Sequence, residues 1–152
     1  MPVKQNEIYK AELYRALEKC QFIEEILKMC LMSAVDIVRI QVQPFFTVSF
    51  KLEDISQLPL GPLLKAFEKI HDDKALHADL RSFRKERNEL AHRSLLFTIG
   101  EAEDKTHMSQ QTAKMKAIAD HAAELHSRLL DVRLKFVQTL NKAKRTRGRD
   151  GG

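Results

Sequence analysis

A chain of 152 residues with 43% hydrophobic residues is long enough to bury the core of one domain. No apolar run reaches the ~20 residues of a membrane span, and the charged first residues lack the apolar centre of a signal peptide. The composition therefore excludes a membrane span and leads to the expectation of a cytoplasmic protein. The net charge of +5 is local: Lys142, Lys144, Arg145, Arg147 and Arg149 against Asp150 leave four of those five charges in the last eleven residues.

In chain order, Leu13, Leu17, Cys20, Leu27, Leu31, Ala34 and Val38 recur at helical spacing with no Gly or Pro before Pro44, which predicts one long helix over about 6–41. Cys20 and Cys30 both fall in it, roughly 15 Å apart along the axis, too far to bridge each other. They read as buried, reduced thiols. Phe46-Thr47-Val48-Ser49-Phe50-Lys51-Leu52 then alternates apolar and polar residues, a strand signature.

A short helix opens at Gly61-Pro62, with proline suited to the first turn, and runs to about His71. Asp72-Asp73 can cap the next helix, over about 74–93. Leu95 to Ile99 is β-prone and ends at Gly100, so it is a candidate second strand, and 101–105 reads as an exposed acidic loop. Finally Met108, Thr112, Met115, Ala119, Ala122, Leu125, Leu129, Val132, Phe136 and Leu140 mark a long helix over about 106–144. The expectation is an all-α, up-and-down four-helix bundle of two long and two short helices, with a small two-stranded β appendage as an optional addition. The bundle would fill residues 1–144, leaving 145–152 as a flexible basic tail that either holds nucleic-acid phosphates or merely solubilises the chain.

The motif helix contains a local conflict. Leu76, Leu80, Phe83, Arg87 and Leu90 recur at alternating four- and three-residue steps, so Arg87 occupies a position of the apolar stripe. An unpaired guanidinium is costly to bury, and such a departure from pattern is a functional hint. Five residues on is His92, about 140° round the helix, with Asn88 and the small Ala91 between them.

The run Arg87-Asn88-Glu89-Leu90-Ala91-His92, preceded by the helix of Leu60 to Phe67 and by Leu80 and Phe83, resembles the R-x4-H motif of the HEPN superfamily of helical, nucleotide-binding proteins. Many members of that superfamily are metal-independent ribonucleases. The resemblance implies that Arg87, Asn88 and His92 are catalytic, that no cofactor or metal is needed, and that a homodimer builds one composite cleft. It also implies RNA as substrate and a protein inhibitor or antitoxin in a toxin-antitoxin or defence setting. The basic cluster around the motif makes Arg81, Arg84, Lys85 and Arg93 candidate RNA contacts or else a solvated helix face, the latter being the better reading for Arg81 or Lys85 taken alone. HEPN toxins often carry a tyrosine two positions after the histidine, where this chain has Ser94, so regulation through that tyrosine is not implied.

The chemistry suits those residues. An imidazole titrating near neutrality can take a proton from a ribose 2′-hydroxyl or give one to the departing 5′-oxygen. A guanidinium stabilises the extra charge on the phosphorane, and an amide can orient either group. The expected product is a 2′,3′-cyclic phosphate, and DNA is not a substrate.

Three other readings remain. One takes Arg87 as an ordinary ion-pair partner, for example of Glu68, with Asn88 and His92 as surface residues near a helix end. Glu68-x-x-His71 and Glu89-x-x-His92 share the spacing of carboxylate-bridged di-iron bundles, but they fall on successive helices. A catalytically silent HEPN-like dimer that binds RNA, a nucleotide or a protein is the other class, with the alternating segment at Phe46 suited to strand addition. His77, His107, His121 and His126 carry no zinc-like spacing and are expected at the surface or in interfaces.

Overall fold

The computed structural model describes residues 2–49, 52–100 and 105–150, with only the backbone described for residues 2, 3, 52, 93–100, 105, 106 and 150. It is all-helical over those residues: α1 (Pro2–Val42), α2 (Leu52–Ser56), α3 (Leu60–Glu68), α4 (Lys74–Gly100) and α5 (Lys105–Asp150). The two long helices expected from the sequence are α1 and α5. The contacts group the chain into two units, one of Met1–Ile23 with Lys74–His126 and one of Glu24–Asp73 with Ser127–Gly152.

In the first unit the first part of α1, all of α4 and the first part of α5 each offer an apolar stripe. Tyr9, Ala16, Cys20 and Ile23 come from α1, Leu76, Leu80, Phe83 and Leu90 from α4, and Met108, Met115, Ile118, Ala119, Ala122 and Leu125 from α5; all are buried. The α1 register differs from the sequence expectation, since Leu13 and Leu17 are only half-buried. His77, expected at the surface or in an interface, is buried, since it stands one residue from Leu76 at the edge of an apolar arc wide enough to cover it. Arg15 ties the elements at their rim, reaching Asp120 at 2.8 Å and Glu12 at 3.3 Å.

The second unit packs the later part of α1 against α2, α3 and the later part of α5. Leu31, Ile55 and Leu63 form a buried cluster flanked by Met32, Val35, Leu58, Ala66 and Ile70. The α3 helix begins after extended Pro59, whose carbonyl accepts the Leu63 amide at 3.1 Å, and Gly61 in its first turn is buried. It closes with tightened bonds from Lys69 to Ala66 and from Ile70 to Phe67, at 3.2 and 3.0 Å. Phe67 then stacks on His71, centroids 5.0 Å apart.

Three local expectations are corrected. The β-prone run at 95–99 continues α4 to Gly100, because extending an existing helix costs little and leucine favours it, whereas a lone strand pair is marginal. Phe46 to Ser49 follows the α1 exit turn without regular structure, and residues 50–51 lie outside the described residues, as does 101–104 of the expected acidic loop. The run expected to leave the helix as a tail at Arg145 is instead helical to Asp150, its cations lying where the helix dipole favours positive charge. Glycines 151 and 152 lie outside the described residues.

Candidate active site

At ~100° per residue, α4 sorts its side chains into two faces. Leu76, Leu80, Phe83 and Leu90 are at most 1% exposed and define the buried face. Arg81, Lys85, Asn88 and His92 follow one another at steps of four, three and four, which aligns them along the opposite face, and all four are exposed. The stripe thus holds two cations, an amide and an imidazole in line over about 16 Å. Arg84 is exposed beside it. The side chain of Arg93 lies outside the described residues.

Arg87 is placed differently. It falls within the arc of the apolar residues and is half-buried, as the interrupted periodicity predicts. Of the three candidate catalytic residues, Asn88 and His92 therefore share a face, and Arg87 leaves α4 about 140° away from His92. One copy of the helix does not aim the guanidinium and the imidazole at a common point.

The sequence offered no sign of a further pair beside the motif. Glu86, immediately before Arg87, meets His121 of α5 with Oε2 and Nδ1 2.8 Å apart. The His121 ring also meets Phe83 edge-on, centroids 6.1 Å apart. The partners are 35 positions apart, and neither stands in a local motif. One turn further along α5, His126 tilts against Phe22 at 5.6 Å, and the Lys19 ammonium lies 5.2 Å from the centre of the same phenyl ring. Burial pushes His126 below the ordinary imidazole range, and the nearby Lys19 charge pushes it the same way.

Among the described residues no three His, Cys, Asp or Glu side chains converge as a metal ligand set. The two Glu-x-x-His pairs fall in different units, Glu89 and His92 in the first and Glu68 and His71 in the second. The cysteines are both free and buried. Burial pushes the Cys30 thiol up to about 11, against a smaller downward pull from Arg133, so it is a poor nucleophile at neutral pH.

No helix among the described residues is long and apolar enough to cross a membrane. Comparison with protein families, with characterised proteins and with solved structures finds no match to this chain.

Proposed function

We propose that this chain is a HEPN-like, metal-independent endoribonuclease, cleaving RNA to 2′,3′-cyclic phosphate ends through a composite site of two protomers. The observation that carries the reading is the division of the Arg87-to-His92 motif between two faces of α4. His92 and Asn88 stand exposed in line with the cations Arg81 and Lys85, while Arg87 is half-buried about 140° away. A phosphate lying along the stripe meets positive charge and an imidazole, but transition-state stabilisation by a guanidinium then needs an Arg87 approaching from elsewhere. A second α4 packed about a two-fold axis supplies it and adds a second imidazole, so that one histidine acts as base and the other as acid.

In this reading α1, α3, α4 and α5 are the helices of an up-and-down four-helix bundle, and Arg84 and Arg93 join Arg81 and Lys85 in holding phosphates. A cytoplasmic toxin-antitoxin or defence role, with a protein that restrains the nuclease, belongs to the same proposal and rests on the resemblance.

The test is incubation of the purified protein with structured and single-stranded RNA in excess chelator, beside Arg87→Ala and His92→Ala. Cleavage to cyclic-phosphate ends that both substitutions abolish, with DNA left intact, supports the nuclease. Folded protein that cleaves none of the RNAs, or cleavage that survives both substitutions, overturns it. The exposure of His92 and Asn88 also suits a silent HEPN-like dimer that binds RNA or a nucleotide on the same stripe, and retained RNA binding without cleavage selects that reading.

A further inference from the structure

The second unit carries a surface trough that the motif helix does not touch. Its walls are the later turns of α1 and of α5. One cleft of about 360 Å³ is lined by Ala34, Ile37, Val38, Ile70, Val132 and Phe136, with Lys135, His71 and Thr139 at its edges. A second, of about 580 Å³, shares Thr139 and continues past Ile40, Gln41 and Pro44 on one side and Lys142, Ala143, Thr146 and Arg147 on the other.

Helical spacing recurs on both walls. Ala34, Ile37, Val38 and Gln41 follow the i, i+3, i+4, i+7 pattern on α1, and Val132, Phe136, Thr139, Ala143 and Thr146 continue at steps of four and three along α5. The α5 wall from Val132 to Arg147 is roughly 22 Å long, the length of a fifteen-residue helix. Val38 is 49% exposed, and at the α1 exit, just after the lining residue Pro44, Phe45 and Phe46 are 79% and 71% exposed.

The charge of the rim selects among occupants. Lys135, Lys142 and Arg147 line the trough and no Asp or Glu is among its described lining residues, while Lys144, Arg145 and Arg149 add exposed cations on the same turns of α5. Arg147 is held towards α1 by a hydrogen bond donated to the Gln43 side-chain oxygen. A second copy docking here by two-fold symmetry would bring basic rim against basic rim. The trough is concave and about 22 Å long, a shape that fits one helix better than the face of a bilayer, and RNA offers its floor no aliphatic surface to cover it.

We propose that this trough is a docking groove for an acidic amphipathic helix of another protein, its apolar side chains seated between α1 and α5 and its carboxylates on Lys135, Lys142 and Arg147. The mode is helix-in-groove recognition with charge complementarity at the rim. It does not depend on the nuclease reading.

The experiment is fluorescence anisotropy of the full chain with a labelled sixteen-residue peptide of leucine, alanine and glutamate whose leucines follow the three- and four-residue helical spacing. A peptide with lysine in place of glutamate, phosphatidylserine vesicles and single-stranded RNA serve as competing probes. Binding of the acidic peptide should weaken about tenfold in Val38→Asp and in Lys142→Glu, both exposed positions whose melting curves should match the parent. Placing one lysine in the peptide should recover part of the loss in Lys142→Glu. Equal binding of the basic peptide, binding unchanged in both variants, or displacement of the acidic peptide by vesicles or RNA with the same dependence on Val38 and Lys142 overturns the proposal. RNA cleavage is expected to be untouched by Val38→Asp, so failure of the groove and failure of the nuclease reading are separable.

Discussion

His121 of α5 holds Glu86 of α4 at 2.8 Å, one residue before Arg87, and so fixes the edge of the helix that carries the motif. The imidazole is clamped between that carboxylate and the edge of Phe83, a buried ring with 0% exposure. A partly exposed hydrogen bond of this kind contributes less than a buried charged one, about 1 kcal/mol. His121→Ala should therefore lower the unfolding free energy by about that much in urea titrations, without changing how the α4 stripe faces solvent. A loss beyond 3 kcal/mol would mean that His121 is a core residue.

Leu90 and His92 are two positions apart and should behave oppositely. Leu90 is 1% exposed among the apolar residues of α4, so Leu90→Ala leaves a cavity and should cost roughly 2–5 kcal/mol. His92 faces solvent, and His92→Ala should leave stability within about 0.5 kcal/mol. Paired denaturation curves decide this. A strongly destabilised His92→Ala would remove the basis for treating that residue as functional.

The same contrast shows what the sequence could and could not disclose. The long helices were legible because their apolar residues recur over about seven turns in α1 and about nine in α5, and the alignment of Arg81, Lys85, Asn88 and His92 follows from spacing alone. The half-burial of Arg87 was legible as an interruption of the stripe. The helical path of Leu95 to Gly100 was hidden because a short β-prone run is decided by what precedes it, here an existing helix. The Glu86–His121 and Arg15–Asp120 pairs were hidden for a different reason: they join residues 35 and 105 positions apart, and only packing brings them together.

Acid should probe the Lys19, Phe22 and His126 cluster. Burial first, and the Lys19 charge second, hold the folded His126 pKa below its unfolded value of about 6.5. Above that pH the group is neutral in both states and contributes no pH dependence. As pH falls through 6.5 the unfolded chain takes up the proton first, so stability declines until the folded imidazole also protonates. Lys19→Met should raise the His126 midpoint in a ring-proton NMR titration, yet leave it below 6.5 because burial persists. An unchanged midpoint would show that the Lys19 charge does not act on this ring.

Thiol reagents offer a test of the packing of α1. Cys20 is 4% exposed and Cys30 0%, and both are free. A Cys30 thiol raised to about 11 is ionised in only about one molecule in a thousand at pH 8. Native protein should thus react with an aromatic disulfide at the rate of structural opening, and both thiols should titrate promptly in denaturant. Fast reaction of one equivalent in the native state would contradict the burial of this helix.

Gly148 tests the helical path of the basic segment. It stands inside α5, between exposed Arg147 and Arg149, and a Cβ built there meets nothing within 4 Å. Its φ is not positive, so no conformational need for glycine offsets the entropy lost when it becomes helical. Gly148→Ala should therefore add helical signal in the far ultraviolet and stabilise the chain by at most about 0.5–1 kcal/mol, towards the low end because the position is near a helix end. A flexible tail predicts no change in either quantity, because alanine then gains nothing on folding. The sign and size of this one substitution separate a helix that carries its cations to Asp150 from a tail that leaves the fold at Arg145.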